Sequence, residues 1–82
     1  MEHLIVTVHP FLMKQEIRVY KDNQQIDSTE CSLENLANIC YNFCKKYNIH
    51  QIDFSGNKDF GLKIEEKFAC DYNDFEIKVI YH

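Results

Sequence analysis

Proline and glycine are almost missing from this chain: of 82 residues, one is Pro and two are Gly. That scarcity excludes collagen-like and low-complexity architectures and implies regular elements joined by short turns. No stretch approaches the roughly 20 apolar residues of a membrane span. Residues 4–8 are apolar except for Thr7, but the run is short and no basic residue precedes it, so it does not read as an export signal. Basic residues are also sparse, with nine Lys and Arg against thirteen Asp and Glu, for a net charge of −4. The densest basic pair is Lys45–Lys46, and nucleic-acid binding needs a concentrated basic face. The expectation is a cytoplasmic protein that engages neither nucleic acid nor membrane. The four cysteines, Cys31, Cys40, Cys44 and Cys70, have no export signal beside them and read as reduced thiols.

What the chain does contain is core material. Hydrophobic residues make up 45%, with six Phe and five Tyr, which argues against disorder. The length fits one domain spanning residues 1–82. Residues 3–9 alternate around Leu4, Val6 and Val8, predicting a strand that Pro10 ends. Residues 13–20 alternate again, and Asp22-Asn23 suits a two-residue hairpin turn. A third, more polar strand is predicted over 24–30 around Ile26, as an edge. Ser32 is the expected N-cap of a helix whose stripe runs through Leu33, Leu36, Ala37, Cys40, Cys44 and Tyr47. A short strand follows over Gln51–Phe54. Asn57 then caps a second helix from Lys58 to Cys70, with Phe60, Ile64 and Phe68 on its stripe. Phe75, Ile77, Val79 and Tyr81 alternate as a final strand.

The order β-β-β-α-β-α-β defines an α/β fold with a single five-stranded mixed sheet. If the fourth strand lies parallel to the first and the fifth to the fourth, the strand order is 3-2-1-4-5. Right-handed crossovers then place both helices on one face. The opposite face is left bare, with Ile5, Thr7 and Ile80 among polar neighbours.

Each candidate site has an ordinary structural counterpart. Cys40 and Cys44 stand one helical turn apart and, with His50, supply an incomplete zinc set; as buried thiols they are core filler. His3 and His9 share a strand face about 20 Å apart, too far for a common metal. The stretch Gly56–Lys63 departs from the phosphate-loop pattern G-x₄-G-K-[ST], because Leu62 holds the lysine position. Ser55, Gly56, Asn57 and Lys58 nevertheless form a strand-to-helix turn whose free N–H groups suit an anion. Asp53 and Glu34 are candidate paired acids. Tyr20, Tyr41 and Tyr72 are candidate interface anchors, and Tyr41 lies off the main helical stripe.

With Glu34 at the start of the first helix and Asp53 on the fourth strand, the element order resembles the ribonuclease H-like fold. That resemblance implies a nuclease-like topology whose acids hold two Mg²⁺ ions. The segment His3–His9 brings no carboxylate, so an inactive, degenerate version is implied. In length and composition the chain also resembles small proteins of phages and mobile elements. The leading expectation is a non-enzymatic interaction module for a protein partner, acting as a homodimer through the bare sheet face and the interface candidates Ile5, Thr7, Tyr41 and Ile80. No cofactor and no metal enter that expectation. A ligand or nucleotide binder using Ser55–Lys58 is the second reading, and a metal-dependent nuclease the third.

Overall fold

In a computed structural model, the described residues are 2–7 and 14–82, with the side chains of Glu2 and Lys14 outside the description. The expected strand ends at Val8 and His9, with Pro10 and Met13, fall outside the described residues. The elements are β1 (Glu2–Thr7), β2 (Lys14–Lys21), β3 (Gln24–Ser32), a short 3-10 turn (Leu33–Asn35), α1 (Leu36–Tyr47), β4 (Gln51–Ser55), α2 (Lys58–Cys70) and β5 (Lys78–Tyr81).

The sheet has five strands in the order β3-β2-β1-β4-β5. β2 is antiparallel to both β1 and β3, whereas β1–β4 and β4–β5 are parallel. The hairpin between β2 and β3 turns on Asp22 and Asn23 at φ 53° and 66°. Both angles are positive, as a type I′ turn requires, and short polar side chains tolerate them best. A register shift follows at Val19/Tyr20, where Tyr20 pairs with Gln25 and Val19 with Asp27. Ile26 is the extra residue of that bulge and is 43% exposed.

The β3–α1 junction and the start of β5 differ from the sequence expectation by more than one residue. β3 runs on to Ser32, which pairs with Lys14, so the ladder continues through the expected cap position. Ser32 makes no side-chain cap bond, and α1 begins only at Leu36. β5 begins at Lys78 rather than Phe75. The Phe75 amide donates to the Tyr72 carbonyl within a turn, and the ladder starts where the Lys78 amide reaches the His50 carbonyl at 2.8 Å.

Period-two alternation decides which face is the core. Leu4, Val6, Ile17, Val19, Ile52 and Phe54 are all at most 1% exposed on one face. Both helices pack onto that face, contributing Leu36, Cys40 and Cys44 from α1 and Ile64 and Phe68 from α2. α1 lies over β1, β2 and β3, and α2 over β4 and β5. Asn48 ends α1 in the left-handed conformation, with its amide on the Cys44 carbonyl. Lys45 and Lys46 in the last turn complement the helix dipole. No helix among the described residues is long and apolar enough to cross a membrane.

Candidate interaction surface

The alternation that buries Leu4, Val6, Ile52 and Phe54 turns Ile5, Thr7, Asp53 and Ser55 to the other face, which no helix among the described residues covers. Pairing across the sheet sets one row on that face: Ser28, Arg18, Ile5, Asp53 and Ile80. The next row holds Glu30, Glu16, Thr7 and Ser55. Ile5 and Ile80 therefore bracket Asp53, each half-buried by its neighbours. Three of the expected interface residues (Ile5, Thr7 and Ile80) share this surface.

Asp53 has three polar neighbours there. His3 Nε2 is 3.9 Å from Oδ2, and His82 Nε2 is 3.5 Å from Oδ1. The Gln51 side-chain amide donates to Oδ1 at 3.1 Å. Backbone geometry explains the meeting. His3 has the outward phase of β1, and the His82 amide donates to the Phe54 carbonyl at 2.9 Å, extending the β4–β5 ladder by one residue. Tyr20 stacks on His3 with ring centroids 6.0 Å apart. On the β2 side, Arg18 hydrogen-bonds and ion-pairs with Glu16.

The strand-to-helix turn is built as a cap. Gly56 has φ 133°, a conformation L side chains rarely adopt. The Asn57 side chain accepts from the Asp59 amide at 2.9 Å, and the Asp59 carboxylate itself stands in the first turn of α2. Lys58 reaches over the Tyr81 ring, 5.2 Å from its centroid. An incoming anion at Ser55–Lys58 meets both an occupied amide and a like charge.

The remaining candidates are scattered over the helical side. The Tyr41 hydroxyl donates to both carboxylate oxygens of Asp74, at 3.0 and 2.8 Å, and its ring stacks on Tyr72 at 4.1 Å. Tyr41 thus ties α1 to the turn before β5, far from Ile5 and Ile80. Glu34 lines a groove of about 590 Å³ between the two helices, with Leu33, Phe60 and Lys63. Glu34 and Asp53 are therefore on opposite sides of the sheet. The groove rim carries both signs, Glu34, Glu66 and Asp71 against Lys63 and Lys67, so it selects no single ligand charge.

Cys40 and Cys44 are 0% exposed core residues. Burial pushes the Cys44 thiol up to about 12 and the Cys40 thiol well above its ordinary value. His50 is exposed, stacked on Phe75 at 4.5 Å, with Nδ1 2.7 Å from the Glu76 carbonyl. Among the described residues, no three His, Cys, Asp or Glu side chains form a metal-binding group.

The juxtaposition of His3, Asp53 and His82 is the feature that sequence reasoning missed. Its signal was present in the outward phase of all three residues. Recognising it required the register that sets Ile5 beside Asp53 and Asp53 beside Ile80. Compared with protein-family models and with curated proteins, the chain matches none.

Proposed function

We propose that this protein is a non-enzymatic interaction module that pairs with a second copy of itself through the outer face of β1, β4 and β5. The observation that carries this reading is a parallel segment of sheet with one face that no helix among the described residues covers. All-parallel sheets occur almost only where both faces are covered, whereas antiparallel sheets commonly leave one face in water, and the parallel half of this mixed sheet resembles the first case. Here β1, β4 and β5 are mutually parallel, and helices cover one side only. Ile5 and Ile80 are the apolar side chains that covering would bury. A second copy satisfies the requirement symmetrically, each face serving as the other's cover.

Size predicts a weak complex. Three strands spaced about 4.8 Å apart make a face about 14 Å wide, and six residues of β1 make it about 20 Å long. A pair of such faces covers about 600 Å², below the roughly 1,000 Å² of stable specific interfaces, so a transient pairing seen only at high concentration is expected. A nuclease reading requires convergent acids, and the separation of Glu34 from Asp53 weighs against it.

The test is the mass of the purified chain in solution at high micromolar concentration, by light scattering after size exclusion and by native mass spectrometry. A dimer is expected, and Ile5→Lys or Ile80→Lys should each give a folded monomer with the parent circular dichroism spectrum. A parent chain that is monomeric throughout that range overturns the self-pairing face.

A further inference from the structure

The cluster at the centre of the proposed interface carries a charge problem, and its solution predicts how pairing is controlled. Asp53 sits between Ile5 and Ile80, with its side chain 16% exposed. Covering it with another sheet removes the remaining water. A buried carboxylate is costly unless a positive partner is already in place. Two copies related by a two-fold axis also bring two such carboxylates into one interface.

The groups that face Asp53 from each strand identify the available partner. β2 offers Arg18, but Arg18 is paired with Glu16 on its own strand. Tyr20 of β2 lies against His3, ring on ring. Gln51 of β4 donates one hydrogen bond without charge. Lys78 of β5 is exposed one register position away, opposite Gln51. Among the described residues, the groups within 4 Å that can gain positive charge are His3 from β1, at 3.9 Å, and His82 after β5, at 3.5 Å. Histidine gains its proton between pH 5 and 8.

We propose that self-association is proton-linked through the His3–Asp53–His82 cluster, a regulation that rests on the self-pairing face proposed above. With neither histidine protonated, each cluster carries a full negative charge and the two copies repel. One proton per cluster makes it neutral, with an ion pair replacing the lost water. A second proton leaves an excess positive charge and restores repulsion. Pairing therefore tightens as pH falls from about 8 to about 6 and weakens again toward pH 5.

Sedimentation equilibrium of the full chain across that pH range, at constant ionic strength, tests the proposal. The dimer dissociation constant is expected to fall at least about tenfold between pH 8 and pH 6, the signature of one or more protons taken up on pairing. Asp53→Asn removes the charge at nearly constant shape, and its dimer should lose the tightening between pH 8 and pH 6 and weaken instead as pH falls, because His3 and His82 then have no carboxylate to offset their protons. His82→Gln, at a position 57% exposed and past the last strand, should reduce the slope without risk to the fold. A dimer equally tight at every pH overturns the proton linkage and leaves the self-pairing face standing. An Asp53→Asn dimer that keeps the parent slope also overturns it. A parent chain monomeric at every pH overturns both the face and its control.

Discussion

At β1 the sheet changes from antiparallel to parallel pairing, and its outer face changes with it. On the β2–β3 side, Arg18 is neutralised by Glu16 within one strand, and Ser28 and Glu30 are exposed. Those side chains are at home in water. On the β4–β5 side, two isoleucines bracket a carboxylate that is itself mostly withdrawn from solvent. The inner face shows no such division, because α1 closes one half and α2 the other. Two surfaces with one backbone scaffold thus differ through strand direction and side-chain choice.

The largest effect should separate inner from outer face within the parallel half. Phe54 is 1% exposed on the inner side of β4, and Phe54→Ala should cost about 3–5 kcal/mol by cavity formation. Ile80→Ala, on the outer side of neighbouring β5, should cost about 1 kcal/mol or less in the monomer while weakening the dimer. Urea denaturation at low protein concentration measures the first quantity, and sedimentation the second. Equal losses of monomer stability would mean that the outer face is as closed as the inner one.

The α1 half has its own signature at alkaline pH. The unfolded chain ionises its cysteines around their ordinary value of 9.0, whereas the folded chain holds the Cys44 thiol neutral to about 12 and that of Cys40 well above the ordinary value. A folded pKa above the unfolded one means stability complete below pH 9 and lost as pH rises above it. Each thiol contributes a slope of about 1.4 kcal/mol per pH unit in that window. Thermal melts between pH 8 and 10.5 should show the loss, and Cys44→Ala should remove its share of the slope, with Cys40, Cys31 and Tyr81, also raised by burial, keeping the rest. A slope unchanged by that substitution would place its origin outside the core under α1.

The α2 half has a steric signature of smaller size. A Cβ on Gly61 would overlap the Tyr81 ring, whose hydroxyl donates to Glu65 at 2.8 Å. Helix propensity alone predicts that Gly61→Ala stabilises by up to about 1 kcal/mol. The contact predicts instead a loss of about 1–3 kcal/mol, because the Tyr81 ring must shift from its place against α2 to admit the methyl group. The sign of the change in denaturation midpoint decides between them.

How much of this was legible in the residues depends on the range of each interaction. Period-two alternation in β1, β2 and β4 reads directly from Leu4, Val6, Ile17, Val19, Ile52 and Phe54, because burial acts on each residue alone. The Asp22-Asn23 turn and the Asn57 cap are equally local. Ser32 misled because a capping side chain competes with a strand ladder, and the pairing with Lys14 lies 18 residues away in the chain. Tyr41 read as a free anchor because Asp74, its partner, is 33 residues distant. Helix propensity marks Gly61 as a weak helix position, and the Tyr81 ring that fills the space beside it comes from 20 residues further along the chain. The Asp53 cluster joins residues from the two ends of the chain and its middle, so only the parallel register brings it together.

The smallest expected effect gives the sharpest check on the division at β1. Glu30 and Glu16 pair directly across β3 and β2 on the outer face, and like charges in that relation destabilise a sheet. Glu30→Lys converts the repulsion into an attraction. Exposure limits the gain to a few tenths of a kcal/mol, visible as a slight rise in denaturation midpoint that added salt removes. Because Glu30 belongs to the antiparallel half, the dimer dissociation constant should stay within about twofold of the parent value, against at least about tenfold weakening for Ile5→Lys. If Glu30→Lys weakens pairing as strongly as Ile5→Lys does, the interface extends over the whole face, and strand direction is not what marks its boundary.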